Sequence, residues 1–261
     1  MAKVISKDGT PIAFTKIGSG EPVIIIDGAL CSRAFGPTLE MGKMLSKNFT
    51  AINYDRRGRN ESGNTLPYSV DREIEDLDAL IKEAGGSVYL VGFSSGAGLA
   101  LHAAAKGLNI KKMVLYEAPY VRNMGGHNPP DDCEGKLTKL VESNRRGDAV
   151  KFFMKDMVGV PAFATVIMSI MPMWSKLKAV AHTLPHDAAV MGDFLIPTAM
   201  AKSVTTPTLV AGGEKSPISL RNAVKKLAEA IPTATIKMLE GQDHRISAKA
   251  IVPVLEEYFK N

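Results

Sequence analysis

Residues 87–102 decide the fold, and they read Ser87-Val-Tyr-Leu-Val-Gly-Phe-Ser-Ser-Gly-Ala-Gly-Leu-Ala-Leu-His102. An apolar run typical of a buried β-strand is followed by small residues in a helical pattern, with Ser94 at the turn between them. Gly92 and Gly96 lie two residues on either side of Ser94, where a side chain would collide across a sharp turn. Ala97 and Gly98 would let the helix approach the strand closely. The stretch therefore predicts a strand, an abrupt turn and a helix, which together form a nucleophile elbow.

A serine hydroxyl is a weak nucleophile, and an elbow compensates in two ways. The turn lifts the oxygen of Ser94 clear of the sheet, and it aims the first N–H groups of the helix at the reacting carbonyl. A general base must also take the hydroxyl proton. His244 is the candidate base, because it follows the eighth predicted strand in a short polar loop. The other histidines lie in the elbow helix or in a later helical insertion: His102, His127, His182 and His186.

Composition and charge exclude several classes of protein. The chain has 261 residues, of which 45% are hydrophobic, as expected of one globular domain of enzyme size. Its net charge is +5, but the basic residues are scattered, so no nucleic-acid partner is expected. No window reaches the roughly 18 apolar residues of a membrane helix, so no membrane insertion is expected. Cys31 and Cys133 show no metal or redox spacing, which favours reduced thiols and a cytoplasmic location. The expected assembly is a monomer or homodimer.

Strand-like and helix-like segments alternate along the chain, which predicts a mostly parallel sheet with helices on both faces. Eight strands are predicted at 3–6, 12–17, 22–26, 50–54, 88–91, 112–117, 208–211 and 235–239. Helices are predicted at 35–46, 70–84, 95–106, 220–230 and 246–258. Residues 119–206 break the alternation, and their short helices are separated by Pro161, Pro172, Pro185 and Pro197. We therefore expect a core of residues 1–118 and 207–261 with a helical lid at 119–206.

The predicted lid is rich in methionine and aromatic residues, which suggests an apolar pocket because methionine adapts to many ligand shapes. The candidate pocket residues are Phe93, Met154, Met157 and Trp174. The alternative is that such side chains pack the lid helices together, and that Phe93 fills the core between sheet and helix.

Several motifs resemble those of the α/β-hydrolase superfamily, in the same order and over essentially the whole chain. They are Ile24-Ile-Ile-Asp-Gly-Ala-Leu30, Tyr54-Asp-Arg-Arg-Gly-Arg-Asn-Glu-Ser-Gly63, Gly92-Phe-Ser-Ser-Gly96, Thr208-Leu-Val-Ala-Gly-Gly-Glu-Lys-Ser-Pro217 and Gly241-Gln-Asp-His-Arg245. The Gly-Ala-Leu loop combined with Tyr116-Glu-Ala-Pro-Tyr120 is similar to small bacterial hydrolases. The resemblance implies the α/β-hydrolase fold, an eight-stranded mostly parallel sheet with a helical lid inserted after the sixth strand.

The expected catalytic acid is missing from its usual place. In the family an aspartate precedes the proline after the seventh strand, and here Ser216 stands there. Glu117 is the preferred replacement, because it ends the sixth predicted strand beside the elbow, where relatives such as the haloalkane dehalogenases place a carboxylate. Glu214 and Asp243 are rivals. Glu117 could instead hydrogen-bond lid backbone at the end of its strand.

The resemblance also implies an oxyanion hole made of the backbone N–H groups of Ala29 and Ser95. Leu30 replaces Ala29 if the loop is shifted by one residue. Only the backbone of Ser95 is expected to matter. Asp27 stands where the family usually has histidine, and it either braces the loop by bonding backbone or contacts a substrate hydroxyl, a substrate amine or a water. The loop that carries Asp55, Arg56 and Ser62 is expected to be held by side-chain hydrogen bonds.

These features predict a serine hydrolase that forms an acyl-enzyme on Ser94 and acts on small to medium lipophilic carboxylic esters. Lactones and thioesters are further candidate substrates, and neither a metal nor an organic cofactor is implied. Epoxide hydrolase and dehalogenase activities are disfavoured, because those relatives attack with an aspartate. Two alternatives stay open: a ligand-binding or receptor-like protein on a hydrolase scaffold, and a perhydrolase or carbon–carbon hydrolase that uses the same serine.

Overall fold

The apolar runs of the chain form neighbouring strands of one sheet in a computed structural model that describes residues 2–261. The strands are β1 (Ala2–Ile5), β2 (Pro11–Ile17), β3 (Pro22–Ile26), β4 (Thr50–Tyr54), β5 (Val88–Phe93), β6 (Ile110–Tyr116), β7 (Thr208–Gly213) and β8 (Ala234–Leu239). Their spatial order is β1-β2-β4-β3-β5-β6-β7-β8. Strand β2 runs antiparallel to β1 and β4, and the pairs from β4 through β8 are parallel. The predicted eight-stranded, mostly parallel sheet is confirmed.

Helices cover the sheet and fill the connection between β6 and β7. They are α1 (Thr38–Leu45), α2 (Val70–Glu83), α3 (Ser95–Ala105), α4 (Cys133–Glu142), α5 (Arg146–Phe152), α6 (Ala162–Ser169), α7 (Met173–Val180), α8 (Leu184–Met191), α9 (Thr198–Ser203), α10 (Ile218–Ala230) and α11 (Ala248–Lys260). Helices α4–α9 make up the inserted segment, where a π-helical turn (Phe153–Met157) extends α5 and a 3₁₀ turn (Ala181–Thr183) precedes α8. Across residues 2–261, no helix is both long enough and apolar enough to span a membrane.

Alternate side chains of the central strands pack into two separate hydrophobic cores, as expected of a parallel sheet buried on both faces. Ile24 and Ile26 of β3 belong to the larger core, which includes α2, α3 and much of the inserted segment. Val23 and Ile25 point to the opposite face and belong to a second core with α1 and α11. The carboxyl ends of the strands, from which the candidate residues emerge, are thereby held between two packed layers.

Some predicted boundaries differ from the observed ones. Strand β6 ends at Tyr116, so Glu117 follows the strand instead of ending it. The first helix begins at Thr38 instead of residue 35, because Pro37 disfavours a helical conformation at Gly36, the residue before it. Pro185 does not separate two helices as predicted. It lies in the first turn of α8, where its missing N–H leaves no helical hydrogen bond unmade.

The elbow has the predicted close contacts. A Cβ atom on Gly92 would lie 2.6 Å from the Cα of Ala97, and one on Gly96 would lie 2.5 Å from the carbonyl oxygen of Ile26. Both contacts are with backbone, which cannot move aside. Gly98 is different, because a Cβ atom there would meet the Sδ of Met191, 2.7 Å away in α8. Gly98 therefore gives space to the inserted segment and not to the strand.

These contacts predict different costs for two alanine substitutions in one helix. Gly96→Ala should lower the free energy of unfolding by about 3 kcal/mol or more, because the added methyl group meets fixed backbone. Gly98→Ala is the matched control and should cost about 1 kcal/mol or less, since the flexible Met191 side chain can shift. Urea unfolding of the purified variants measures both values. Equal losses would show that the backbone contact at Gly96 does not limit the fold.

Candidate active site

Ser94 lies between β5 and α3 with a backbone conformation that few side chains adopt. Its φ is 55° and its ψ is −126°, a strained combination that costs on the order of 1–3 kcal/mol and is common at functional sites. Its N–H donates to the carbonyl oxygen of Tyr116 at 2.9 Å, which ties the turn to the end of β6. Its side chain is partly exposed, while Phe93 and Ser95 on either side are buried. The chain thus presents the Ser94 hydroxyl at the carboxyl edge of the sheet.

Glu117 and His244 are in direct contact, although 127 positions separate them in the sequence. The Nδ1 atom of His244 lies 2.7 Å from the Oε2 atom of Glu117. The other carboxylate oxygen accepts the N–H of Gly213 at 2.8 Å. Glu117 is fully buried, whereas the His244 side chain is 38% exposed. A proton on Nδ1 that is donated to Glu117 leaves Nε2 as a proton acceptor.

The rival carboxylates have other surroundings. Glu214 is exposed to solvent. The Oδ1 atom of Asp243 accepts the N–H of Arg245 at 2.7 Å, so Asp243 stabilises its own loop. Ser216 is buried. Of the three carboxylates considered from the sequence, Glu117 is the one that the structure brings to His244.

The loop after β3 packs against the elbow. A Cβ atom on Gly28 would lie 2.9 Å from the Cβ of Ser94 and 3.6 Å from its Oγ, so only glycine fits between this loop and the serine. Leu30 has a φ of 61°, which turns the chain sharply after Ala29. Ser95 is the first residue of α3, so no earlier helical carbonyl is available to its N–H. Both predicted oxyanion donors therefore lie on segments adjacent to Ser94.

A buried cluster of charges lies behind this loop, and its centre, Asp187, was not predicted from the sequence. Asp187 of α8 accepts hydrogen bonds from Arg56 at 2.7 Å and from Arg59 at 2.8 Å. It also accepts the Ser95 hydroxyl at 2.7 Å. The Ser95 side chain therefore contributes a contact, in addition to its backbone. Three arginines after β4 were the sequence signal for this cluster. The predicted side-chain hydrogen bonds of that loop account for part of it, but not for the contact with α8.

The predicted pocket residues lie in two places. Phe93 belongs to the core on the α1 and α11 face, and its ring centroid is 5.8 Å from that of Tyr116. Met157 and Trp174 are buried in the larger core, which also contains Leu30, and Met154 packs against it. Trp174 also borders an open surface depression formed by residues 144–148 with Lys178 and Ala179. A contact of these side chains with substrate stays a prediction.

Comparison with known proteins places this geometry in a family. The family model described as the alpha/beta hydrolase family matches residues 28–255. The chain is 48% identical to a solved α/β hydrolase from Sphaerobacter thermophilus DSM 20745, with a TM-score of 0.92 over 99% of this chain and 100% of that one. It is 29% identical to the non-heme chloroperoxidase CPO-A1 of Kitasatospora aureofaciens, over 97% of this chain and 94% of that protein. It is 25% identical to 2-(acetamidomethylene)succinate hydrolase of Mesorhizobium japonicum, over 88% of this chain and 84% of that protein. With a family model covering most of its length, this chain belongs to the α/β-hydrolase family.

Proposed function

We propose that the protein is a serine hydrolase that cleaves small to medium lipophilic carboxylic esters through an acyl-enzyme on Ser94. Lactones and thioesters are included as substrates of the same chemistry. The observation that carries the proposal is the 2.7 Å contact between His244 Nδ1 and Glu117 Oε2. A buried carboxylate on one ring nitrogen orients the imidazole and stabilises its charged form, as a general base requires.

In the first half of the reaction, the Oγ atom of Ser94 attacks the ester carbonyl carbon and Nε2 of His244 takes the hydroxyl proton. The N–H groups of Ala29 and Ser95 stabilise the negative charge that forms on the carbonyl oxygen. The carbon–oxygen bond to the alcohol then breaks, and His244 returns the proton to the leaving oxygen. In the second half, His244 takes a proton from water, and the water oxygen attacks the acyl carbon. The bond from that carbon to Ser94 Oγ then breaks, His244 returns the proton to Oγ, and the carboxylic acid leaves.

Two features support a lipophilic substrate. Leu30 of the oxyanion loop belongs to the same apolar cluster as Met157 and Trp174 of the inserted segment. Met154 and Met157 lie on the π-helical turn, an irregularity that often marks functional sites. An acyl chain that reached the methionine side chains of the π-helical turn would meet thioethers, which adapt to several shapes.

Perhydrolysis is a second candidate activity, favoured by the similarity to a non-heme chloroperoxidase over nearly the whole chain. The same acyl-enzyme would be attacked by hydrogen peroxide in place of water and would release a peracid. The receptor-like alternative rested on the missing aspartate at Ser216. It loses that support, because Glu117 supplies a carboxylate to His244 from another strand.

Asp27 bears on this mechanism, because a negative charge next to the oxyanion loop would oppose the one that forms in the reaction. It was expected to bond loop backbone, but its Oδ2 atom accepts the hydroxyl of Thr38 at 2.8 Å. Its Oδ1 atom is buried without a hydrogen-bond partner. Burial raises the pKa of Asp27 to about 7, although Thr38, Arg59 and Arg56 act in the opposite direction. The carboxyl is therefore neutral below about pH 7.

The first expected result concerns the nucleophile. A fluorophosphonate probe should label Ser94 stoichiometrically, and the wild-type protein should turn over p-nitrophenyl butyrate. Ser94→Ala should remove both, because the attacking oxygen is gone. Mass spectrometry of the labelled peptide and release of p-nitrophenol are the measurements.

Hydrogen peroxide and bromide added to the same assay distinguish the two candidate activities, since a perhydrolase would then yield peracid that oxidises bromide. Slow labelling with no turnover above buffer would favour a binding protein instead.

The second expected result concerns the acid. Glu117→Gln should lower kcat about ten-thousandfold, as neutralising a triad acid does in serine proteases. The fold should survive, because glutamine is isosteric and its carbonyl oxygen can still accept the Gly213 N–H. Glu214→Gln is the matched control and should keep wild-type kcat, because Glu214 is exposed. Full activity in Glu117→Gln together with loss in Glu214→Gln would move the acid to β7.

The third expected result concerns pH and stability. The pKa of Asp27 is raised on folding, from 3.8 to about 7, so between these values the folded state holds a proton that the unfolded state has lost. This contribution to stability is complete below about pH 4 and disappears as the pH rises through 7. Between pH 5 and pH 8, wild-type protein should lose about 3 kcal/mol of unfolding free energy relative to Asp27→Asn. Urea unfolding at several pH values measures the difference. Parallel pH dependences of the two proteins would contradict a raised pKa.

A further inference from the structure

Three arginines follow β4 within four residues, and all are almost completely buried. Arg56, Arg57 and Arg59 are each 1% exposed. A buried guanidinium must have its charge and its donors matched, so the partners of each arginine show what it does. Arg57 pairs with Asp8 at 2.6 Å and with Asp76 at 2.6 Å, which joins the β1–β2 turn to α2. Arg56 also binds α2, because its Nε and Nη2 atoms donate to the carboxylate of Glu73 at 2.8 Å, while its Nη1 atom reaches the loop after β3. Arg59 faces that loop with its Nη1 atom.

Arg59 uses all three of its nitrogens to join the oxyanion loop to the inserted segment. Its Nη1 atom donates to the carbonyl oxygens of Gly28 at 2.6 Å and Cys31 at 3.1 Å. Its Nη2 atom lies 2.8 Å from both carboxylate oxygens of Asp187. Its Nε atom donates to the hydroxyl of Thr183 at 3.3 Å. The loop carbonyls are thus bound to a cation whose own position is set by residues 183 and 187.

This contact fixes the direction of a peptide group that the proposed reaction needs. In a trans peptide the C=O and the following N–H point in opposite directions. Because the Gly28 carbonyl points at Arg59, the Ala29 N–H points away from Arg59. Gly28 itself lies against Ser94. A flipped Gly28–Ala29 peptide would lose the bond to Arg59 and would place a carbonyl oxygen where an oxyanion must bind.

The same carboxylate also holds the second predicted donor. Asp187 Oδ1 accepts the Ser95 hydroxyl at 2.7 Å, and Ser95 carries the other N–H of the hole. It also accepts Arg56 Nη1 at 2.7 Å, and that nitrogen reaches the carbonyl oxygen of Asp27 at 3.4 Å. One side chain of α8 therefore contacts the elbow helix directly and the oxyanion loop through two arginines.

We propose that Arg59 and Asp187 are positioning residues that hold the oxyanion hole in its binding geometry, so that the inserted segment sets the rate of the chemical step. This inference rests on the proposed function, because it concerns the same acyl transfer. Neither side chain touches the substrate. They act through the peptides of Gly28 and Ala29 and through Ser95.

The test compares two buried ion pairs whose arginines come from the same loop after β4. Asp187→Asn and Arg59→Lys disturb the pair that holds the oxyanion loop. Asp76→Asn and Arg57→Lys disturb a pair of equal burial that does not contact it. Ser95→Ala is a milder variant, which removes the hydroxyl that donates to Asp187 and accepts from Arg56 and keeps the backbone N–H. Each protein is assayed for kcat and KM with p-nitrophenyl butyrate and for inhibition by an aryl trifluoromethyl ketone, whose adduct with serine places an oxyanion in the hole.

Asp187→Asn and Arg59→Lys should lower kcat about 100-fold, the usual effect of losing one oxyanion donor, with KM changed less than about threefold. Inhibition by the ketone should weaken by the same factor as kcat, and Ser95→Ala should show a loss of about tenfold in both. The Arg57 and Asp76 variants should keep kcat within about threefold of the wild-type value. Breaking either buried ion pair should lower thermal stability, so loss of stability alone does not distinguish the two sets.

The alternative outcomes are distinct. Equal losses of kcat in both pairs, or a loss confined to KM, would overturn the positioning role, because a purely structural pair affects both sets alike. If Asp187→Asn and Arg59→Lys fail to fold by circular dichroism, Ser95→Ala decides, and unchanged kcat and ketone inhibition there would overturn the role. Wild-type protein that neither labels at Ser94 nor turns over ester would instead overturn the proposed function.

Discussion

The close approach of α3 to the central strands is the constraint on which the rest of the site depends. Gly96 lies so near the carbonyl of Ile26 that a methyl group would overlap it, and Gly92 makes a similar approach within the elbow. This contact brings the first turn of α3 beside the end of β3. The strained Ser94 and the loop after β3 then meet. A bulkier helix would separate Ser94 from the N–H groups that the proposed mechanism assigns to the oxyanion hole.

The parallel sheet explains how a carboxylate that follows β6, and not β7 as is usual in the family, can still reach His244. Strands β5, β6 and β7 are neighbours and end at one edge, so a side chain that follows any of them can point into the same space. Glu117 follows β6 directly after Tyr116, whose carbonyl binds the Ser94 N–H. Gly212 leaves room for it, because a Cβ atom there would lie 3.2 Å from the Glu117 carboxylate. Gly212 on β7 thus leaves space for the carboxylate of the residue that follows β6.

Much of the fold was accessible from the sequence because it depends on local patterns. Apolar runs mark the strands, and Gly92 and Gly96 mark the elbow, so the sheet and the place of Ser94 follow from nearby residues. The choice of Glu117 followed from the predicted strand order and from the serine that replaces the family's usual aspartate at position 216. Asp187 could not be found in this way, because its partners Arg56 and Ser95 lie 131 and 92 positions away. The local sequence of α8, Leu184-Pro-His-Asp-Ala-Ala-Val-Met191, contains no signal of these contacts. The position of Phe93 also depended on distant packing, since β5 presents alternate residues to two cores.

The inserted segment is uneven in how firmly it is held. Helix α8 is bound by charge-assisted hydrogen bonds that two buried arginines donate to Asp187. Withdrawing α8 would separate Arg59 from this carboxylate, which is costly in a low-dielectric interior. Helix α6 instead exposes large apolar side chains, including Phe163 at 71% and Val166 at 62%. Regions with few buried contacts open at the lowest free energy. Opening around α6 therefore requires less free energy than withdrawing α8, and it leaves the contacts of Asp187 with Arg59 and Ser95 in place.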